Sequence, residues 1–258
     1  WSENVLTVEV DNSVNNRIYP QKADFTFYGG IYRDVSLLVV NKNHIALGHF
    51  GDTGVKITPA LKEGSADVQV ETLVEGEGTV AVELLDAEGN LVAKGEGAKT
   101  SLHLDAPHLW NGVKDPYLYT CVVRLLQDGK PVDEVTTKVG LRSFSVDAKK
   151  GFFLNGKPYP LHGVSRHQDR KGLGNAITRE MHDEDMALIR ELGVNTVRLA
   201  HYQHDQYFYD LCDKYGMVIW AEIPYISEHL PNGRENTISQ MKELIHQNYN
   251  HPSIVCWG

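Results

Sequence analysis

No apolar run in these 258 residues approaches the roughly 20 needed to cross a bilayer. Cysteine is scarce: Cys121, Cys212 and Cys256 are far apart, odd in number and without a C-x-x-C pair. That pattern argues against a disulfide framework or a zinc knuckle and favours a reducing, cytoplasmic address. Basic excess is missing as well, with 25 Lys and Arg against 34 Asp and Glu and a formal charge of -9. Such a surface repels phosphate backbones and anionic lipid, so neither nucleic acid nor membrane is an expected partner. No basic stretch followed by an apolar core opens the chain, which starts at Trp1 without an initiator Met and already alternates like a strand, as in an excerpt from a longer protein. What is present is globular in character: 41% hydrophobic and 23% charged residues.

Three textures follow one another. Residues 1–44 contain two strand-like runs, 5–10 and 35–40, too few to bury a face alone. Residues 45–146 carry short alternating runs at 68–73, 79–85, 91–93, 118–125 and 134–139, separated by turn signals such as Glu88-Gly89-Asn90 and Asp128-Gly129-Lys130. Spacing near ten residues without a helical period predicts an immunoglobulin-like β-sandwich. From 147 to 258 strands alternate with helices: strands at 159–163, 195–199, 217–222 and 254–257, helices at 181–192, 205–215 and 235–249. Met186, Ile189 and Leu192 are expected inward on the first helix, and Ile238, Met241, Leu244 and Ile245 on the third. Four such units amount to half of a (β/α)8 TIM barrel, an incomplete one. A doubly wound sheet has the same alternation, but no Gly-rich strand-to-helix turn invites a nucleotide.

In a βα barrel the chemistry lies at the C-terminal ends of the strands. Those positions are His162, Arg166 and His167, then Arg198 and His201, then Trp220, Glu222 and Tyr225. Donors, rings and a carboxylate together suit a neutral polyhydroxylated ligand, because hydroxyls need both donors and acceptors and sugar C–H faces stack on rings. Glu222 and Arg198 read equally well as an ion pair in the core or as groups that orient substrate. His201 and His204 form His-x-x-His, which lacks the third ligand that zinc requires. Of His162 and His167, the later residue is the better placed to reach a cavity, and Trp257 reads as packing.

The motifs now on the page resemble glycoside hydrolase family 2, and its β-galactosidases most. Ala23-Asp24-Phe25-Thr26-Phe27-Tyr28-Gly29-Gly30-Ile31-Tyr32-Arg33-Asp34-Val35 is similar to the stretch closing the family's N-terminal jelly roll. Leu109-Trp110, Asp115-Pro116-Tyr117-Leu118-Tyr119-Thr120 and Val139-Gly140-Leu141-Arg142-Ser143-Phe144 resemble its middle domain. Leu154-Asn155-Gly156-Lys157-Pro158, His162-Gly163-Val164-Ser165-Arg166-His167, Asn195-Thr196-Val197-Arg198 with His201-Tyr202, Tyr215 to Glu222, and Asn250 to Gly258 resemble its barrel. Three divisions are implied: jelly-roll strands at 1–44, the sandwich at 45–146 and the first half of the barrel at 147–258.

The resemblance implies a retaining hydrolase of terminal β-D-galactosides. Asp24 would hold sugar hydroxyls of the innermost subsite, and His167 and His201 would contact the sugar or the developing charge. Arg198 would orient carboxylates around the reacting carbon, with Glu222 among the substrate-binding groups. The two catalytic glutamates, acid/base and nucleophile, would lie beyond Gly258, so the isolated 258-residue chain is expected to be inactive. Ser165 departs from relatives that carry Asn there. Some relatives bind Mg²⁺ through a Glu and a His after the third barrel strand; the spacing at Ile226-Ser227-Glu228-His229 differs and a further ligand would be the acid/base beyond Gly258, so Mg²⁺ stays open for the parent enzyme and no metal site is assigned to this chain. β-Glucuronidase and β-mannosidase are the alternatives within the family, with Asp24 counting against a substrate carboxylate. Outside that class stands a non-catalytic carbohydrate-binding or assembly fragment. Self-association into a homo-oligomer stays open.

Overall fold

A computed structural model describes residues 3–258. Its first layered unit is an antiparallel sandwich. Strands β1 (Val55–Lys62), β2 (Ser65–Thr72) and β5 (Lys99–Asp105) form one sheet in the order β1-β2-β5. Strands β3 (Thr79–Leu85), β4 (Leu91–Glu96), β6 (Tyr119–Gln127) and β7 (Lys130–Val139) form the other, in the order β4-β3-β6-β7. Alternation sends every second side chain inward. Ala66, Val68 and Val70 of β2 thus meet Val82 and Leu84 of β3 and Leu125 of β6 in one dry core. Asp128 and Gly129, at φ 50° and 74°, make the two-residue turn between β6 and β7, with the paired positive φ of a type I′ hairpin.

Two of these strands escape the sequence pattern. β1 holds Pro59, which cannot donate to a ladder, and β1 accordingly lies at a sheet edge. β5 sends in only Leu102 and Leu104 from an otherwise polar stretch.

The second unit alternates β8 (Gly163–Arg166), α1 (Arg179–Glu191), β9 (Thr196–Leu199), α2 (Gln206–Tyr215), β10 (Val218–Ala221), α3 (Arg234–Asn248) and β11 (Ile254–Trp257). The four strands run parallel in the order β8-β9-β10-β11, each beside its predecessor. One face carries Val197, Leu199, Ile219, Ala221 and Ile254 into a core shared with Met186, Phe208 and Leu244 of the helices. Asp205 caps α2 by accepting from the Tyr207 N–H, and Gly216 ends it at φ 76°, the left-handed position that glycine takes without strain.

Some expected details are corrected. The first parallel strand is Gly163–Arg166 rather than 159–163, because Pro158 and Pro160 flank Tyr159 and offer no N–H to a ladder. Leu192 is the C-cap of α1 and is 67% exposed. On α3, Leu244 is buried and Met241 packs against the core as expected, Asn248 is buried as well, and Ile238 is exposed. Among the described residues no strand precedes His44, so the runs at 5–10 and 35–40 are not laddered, and Val5 and Val35 are exposed. A strand needs partners on which to close its hydrogen bonds, and these runs have none there.

Residues 19–33 are nonetheless anchored on the second unit. Tyr19 is buried, its hydroxyl accepting from the Leu230 N–H and its own N–H donating to Asn236, and Arg33 donates to the Gln203 carbonyl. Elsewhere Trp110 of the sandwich is fully buried and donates its indole N–H to the Asp213 carbonyl at 2.9 Å. Arg142 donates to the Pro252 and Ile254 carbonyls, and a Cβ on Gly216 would collide with the Gly112 backbone. The two units are therefore joined by close, directional contacts.

Candidate active site

At the C-terminal edge of the parallel sheet, strand alternation sorts the side chains. In register, Ser165, Arg198, Trp220 and Cys256 form one row across all four strands on the face away from the helices. None of the four is buried. Arg198 is the charge in that row, and its guanidinium lies 5.2 Å from the Trp220 ring centroid. Glu222 follows β10 directly and is buried. Arg198 grips it bidentately, Nε to Oε1 at 2.5 Å and Nη2 to Oε2 at 3.2 Å. His201 Nδ1 is 3.1 Å from both Glu222 Oε2 and Arg198 Nη2. A guanidinium only donates, so the two contacts of Nδ1 are alternatives. With a proton on Nδ1, the imidazole donates to Glu222 and leaves Nε2 as an acceptor. A cavity of about 180 Å³ is lined by Arg198, His201, Trp220, Glu222 and Tyr225.

His167, just past β8, brings its ring 5.2 Å from that of His201, with its Nδ1 3.4 Å from the Tyr202 hydroxyl. Phe25 packs against both histidines and Tyr202 at 5.3 to 5.9 Å. Burial and the charge of His201 hold His167 below its ordinary pKa, against the opposing pull of Asp169 and Asp24. A second cavity of about 310 Å³ adjoins, lined by rings including Tyr19, Phe25, Tyr28 and Tyr202. A polar triad beside stacked aromatic faces can hold hydroxyls on one side and sugar C–H on the other.

Four of the five candidates therefore gather: Arg198, His201 and Glu222 in mutual contact, and His167 against them. Asp24 is exposed beside Phe25 and reaches His167 only through its charge. His162 precedes β8, at the wrong end of the strand for this cavity.

Arg166 points the other way. Its Nε and Nη2 donate to Asp185 at 3.0 and 2.6 Å, and its Nη1 and Nη2 lie 3.0 Å from His204 and His182 Nδ1. The guanidinium also stacks 3.8 Å from the Phe208 centroid. His204 then donates from Nε2 to the Ala200 carbonyl, the residue before His201. Both nitrogens of His204 are thus taken and a guanidinium adjoins, which closes the zinc reading of His-x-x-His. Burial, then Arg166, hold His204 well below its ordinary pKa and lower His182 too. Glu228 and His229 are exposed, and His229 pairs with the Tyr225 hydroxyl. The sequence patterns missed Phe25 and Tyr202 as walls; the run of aromatic residues after Asp24 was the available signal.

Comparison with known proteins agrees with this geometry. The family model described as "Glycosyl hydrolases family 2, TIM barrel domain" matches residues 145–258, and "Glycosyl hydrolases family 2" matches 49–142. The chain belongs to glycosyl hydrolase family 2. This family 2 chain is 42% identical to a beta-glucuronidase of Bacteroides fragilis across 99% of its own length and 40% of that protein. It is 29% identical to a beta-galactosidase of Thermoanaerobacter pseudethanolicus, over 99% of the chain and 36% of that protein. A crystal structure titled FMN-binding beta-glucuronidase, from Facaelibacterium prausnitzii L2-6, superposes with a TM-score of 0.93 at 43% identity, over 96% of this chain and 40% of that one. The family 2 chain thus spans about 40% of the length of these glucuronidases.

Proposed function

We propose that the protein carrying this chain is a retaining glycosidase that removes terminal β-linked sugars, β-D-glucuronides ahead of β-D-galactosides. The observation that carries the glycosidase reading is the Arg198–Glu222–His201 constellation at the C-terminal edge of a parallel sheet, with His167 and a wall of rings beside it. Retaining hydrolysis needs two carboxyls about 5 Å apart, one protonating the leaving oxygen and one attacking the anomeric carbon. Glu222 is held by Arg198 and His201, so in this reading it orients the site rather than attacks, and both catalytic glutamates come from chain after Gly258.

The order of substrates reverses the one drawn from motifs alone. Support for glucuronides is the 42% and 38% identity to curated beta-glucuronidases against 29% and 30% to curated beta-galactosidases, while a solved structure titled "putative beta-galactosidase" at 41% identity keeps galactosides as the second reading. The objection from Asp24 also weakens, because its carboxylate is exposed and water screens its charge. Residues 1–44 are read as the closing part of a sugar-binding jelly roll and 147–258 as half of the catalytic barrel. Three free cysteines support a reducing compartment.

A nitrophenyl panel of β-D-glucuronide, β-D-galactoside and β-D-mannoside tests the proposal on the full-length protein. The glucuronide should give the highest kcat/KM, and the isolated 258-residue chain should turn over none. A galactoside preference would restore the other order, and hydrolysis of no member of the panel would end the glycosidase reading.

A further inference from the structure

Far from that cavity, the loop leading into the sandwich meets the last turns of α3. His49 and Asp52 come from the loop and His246 from the helix, and one ligand atom from each lies within 4.8 Å of the others. His49 Nδ1 is 3.0 Å and His246 Nδ1 3.5 Å from the same oxygen, Asp52 Oδ2. Two imidazoles at right angles, their centroids 4.6 Å apart, thus converge on one carboxylate oxygen.

We infer that His49, Asp52 and His246 bind a transition-metal dication of the Zn²⁺ type, which clips the sandwich's entry loop to α3. Zn²⁺ holds N and O ligands at about 2.0–2.1 Å, which puts tetrahedral neighbours about 3.3–3.4 Å apart. The observed 3.0 and 3.5 Å bracket that separation. Two histidines and one carboxylate are a recurrent three-ligand zinc set, with water in the fourth position. The half-open setting leaves room for that water, with side-chain exposures of 44%, 15% and 33% for His49, Asp52 and His246.

The ligands are also held in place by their neighbours. Asp52 Oδ1 accepts the Gly54 N–H at 2.9 Å, which fixes the carboxylate and leaves Oδ2 toward the histidines. Gln247 donates to the Phe50 carbonyl, and the Phe50 ring stacks on His246 at 4.7 Å, so the loop is pinned to the helix beside the site. Phe50 itself sits at φ 53°, a conformation costly for a bulky side chain. Without an ion, the two Nδ1 groups can meet that one oxygen only as donors, each needing its proton on Nδ1. A dication instead uses a lone pair from each, and binding releases any proton that the ligands carry.

The test is a Zn²⁺ titration of the untagged full-length protein by calorimetry and thermal melting, with H49A, H246A, D52N and, as a control, H229A. His49 is exposed, so H49A keeps the fold and reports ligation alone. Wild type and H229A should share a site whose filling raises Tm. H49A and H246A should each lose more than about 10-fold in affinity, the lower bound seen even for outer partners of a metal. The Tm of D52N should not respond. No Tm response in wild type, wild-type affinity in H49A or H246A, or an equal loss in H229A would overturn the site.

Discussion

Two arginines a residue apart in register, Arg166 and Arg198, stand at neighbouring strand ends and face opposite sides of one sheet. Arg166 is enclosed by Asp185, His182, His204 and Phe208, with a side chain only 5% exposed. Arg198 is 39% exposed and shares Glu222 with His201 at a cavity. Strand alternation alone decides the difference. The inward arginine secures the backbone under His201 through His204 and Ala200, while the outward one holds Glu222 and His201 at the edge of the cavity. One side of the strand ends is enclosed scaffold, and the other is the site of the proposed function.

The largest effect should come from breaking the scaffold side. R166M leaves Asp185 to Arg170 alone and two buried histidines without their donor, and should destabilise folding by about 1–3 kcal/mol for each histidine left unsatisfied, read from urea unfolding. A cost near zero would mean that Arg166 anchors nothing. On the site side, H201A in the full-length protein should, on the proposed function, lower kcat by about 10²–10³-fold, as for other preorganised transition-state contacts. Its unfolding midpoint should barely move. An unchanged rate would leave His201 as packing only.

A smaller, pH-linked effect separates the scaffold side from the sandwich joint. His182 and His204 are lowered by burial and by Arg166, so the unfolded chain binds protons that the folded one refuses. Their contribution is complete above the ordinary value of 6.5 and is lost as pH falls below it. His251 is opposite: burial disfavours its charge, but Asp213, bonded to it at 2.6 Å, outweighs burial and raises it. That contribution is complete below 6.5 and is lost as pH rises through the folded value. Stability should peak near 6.5, with H182Q reducing the acid limb and H251Q the alkaline one, each by up to about 1.4 kcal/mol per pH unit. Urea midpoints from pH 5 to 8 would show it, and limbs unchanged in both variants would refute it.

Much of this was legible in the residues. α2 was readable because its apolar spacing and its closing Gly216 agree, and β11 falls on residues 254–257 as expected. Arg198, His201 and Glu222 were readable from their places at strand ends. What could not be read follows from where hydrogen bonds close. The prolines around Tyr159 move β8 forward, and that shift turns Arg166 from a loop residue into an inward strand residue. Phe25 became a wall of the site through contacts 142 to 177 residues along the chain, which no local pattern encodes. The His49–Asp52–His246 cluster was invisible for the same reason.

The central claim is the division between scaffold and site at the strand ends. Measuring kcat and unfolding free energy together for full-length R166M and H201A, on whichever nitrophenyl sugar is best hydrolysed, tests it most directly. The division predicts a stability loss confined to the first variant and a turnover loss without destabilisation in the second. Turnover intact in H201A, or stability intact in R166M, would contradict it.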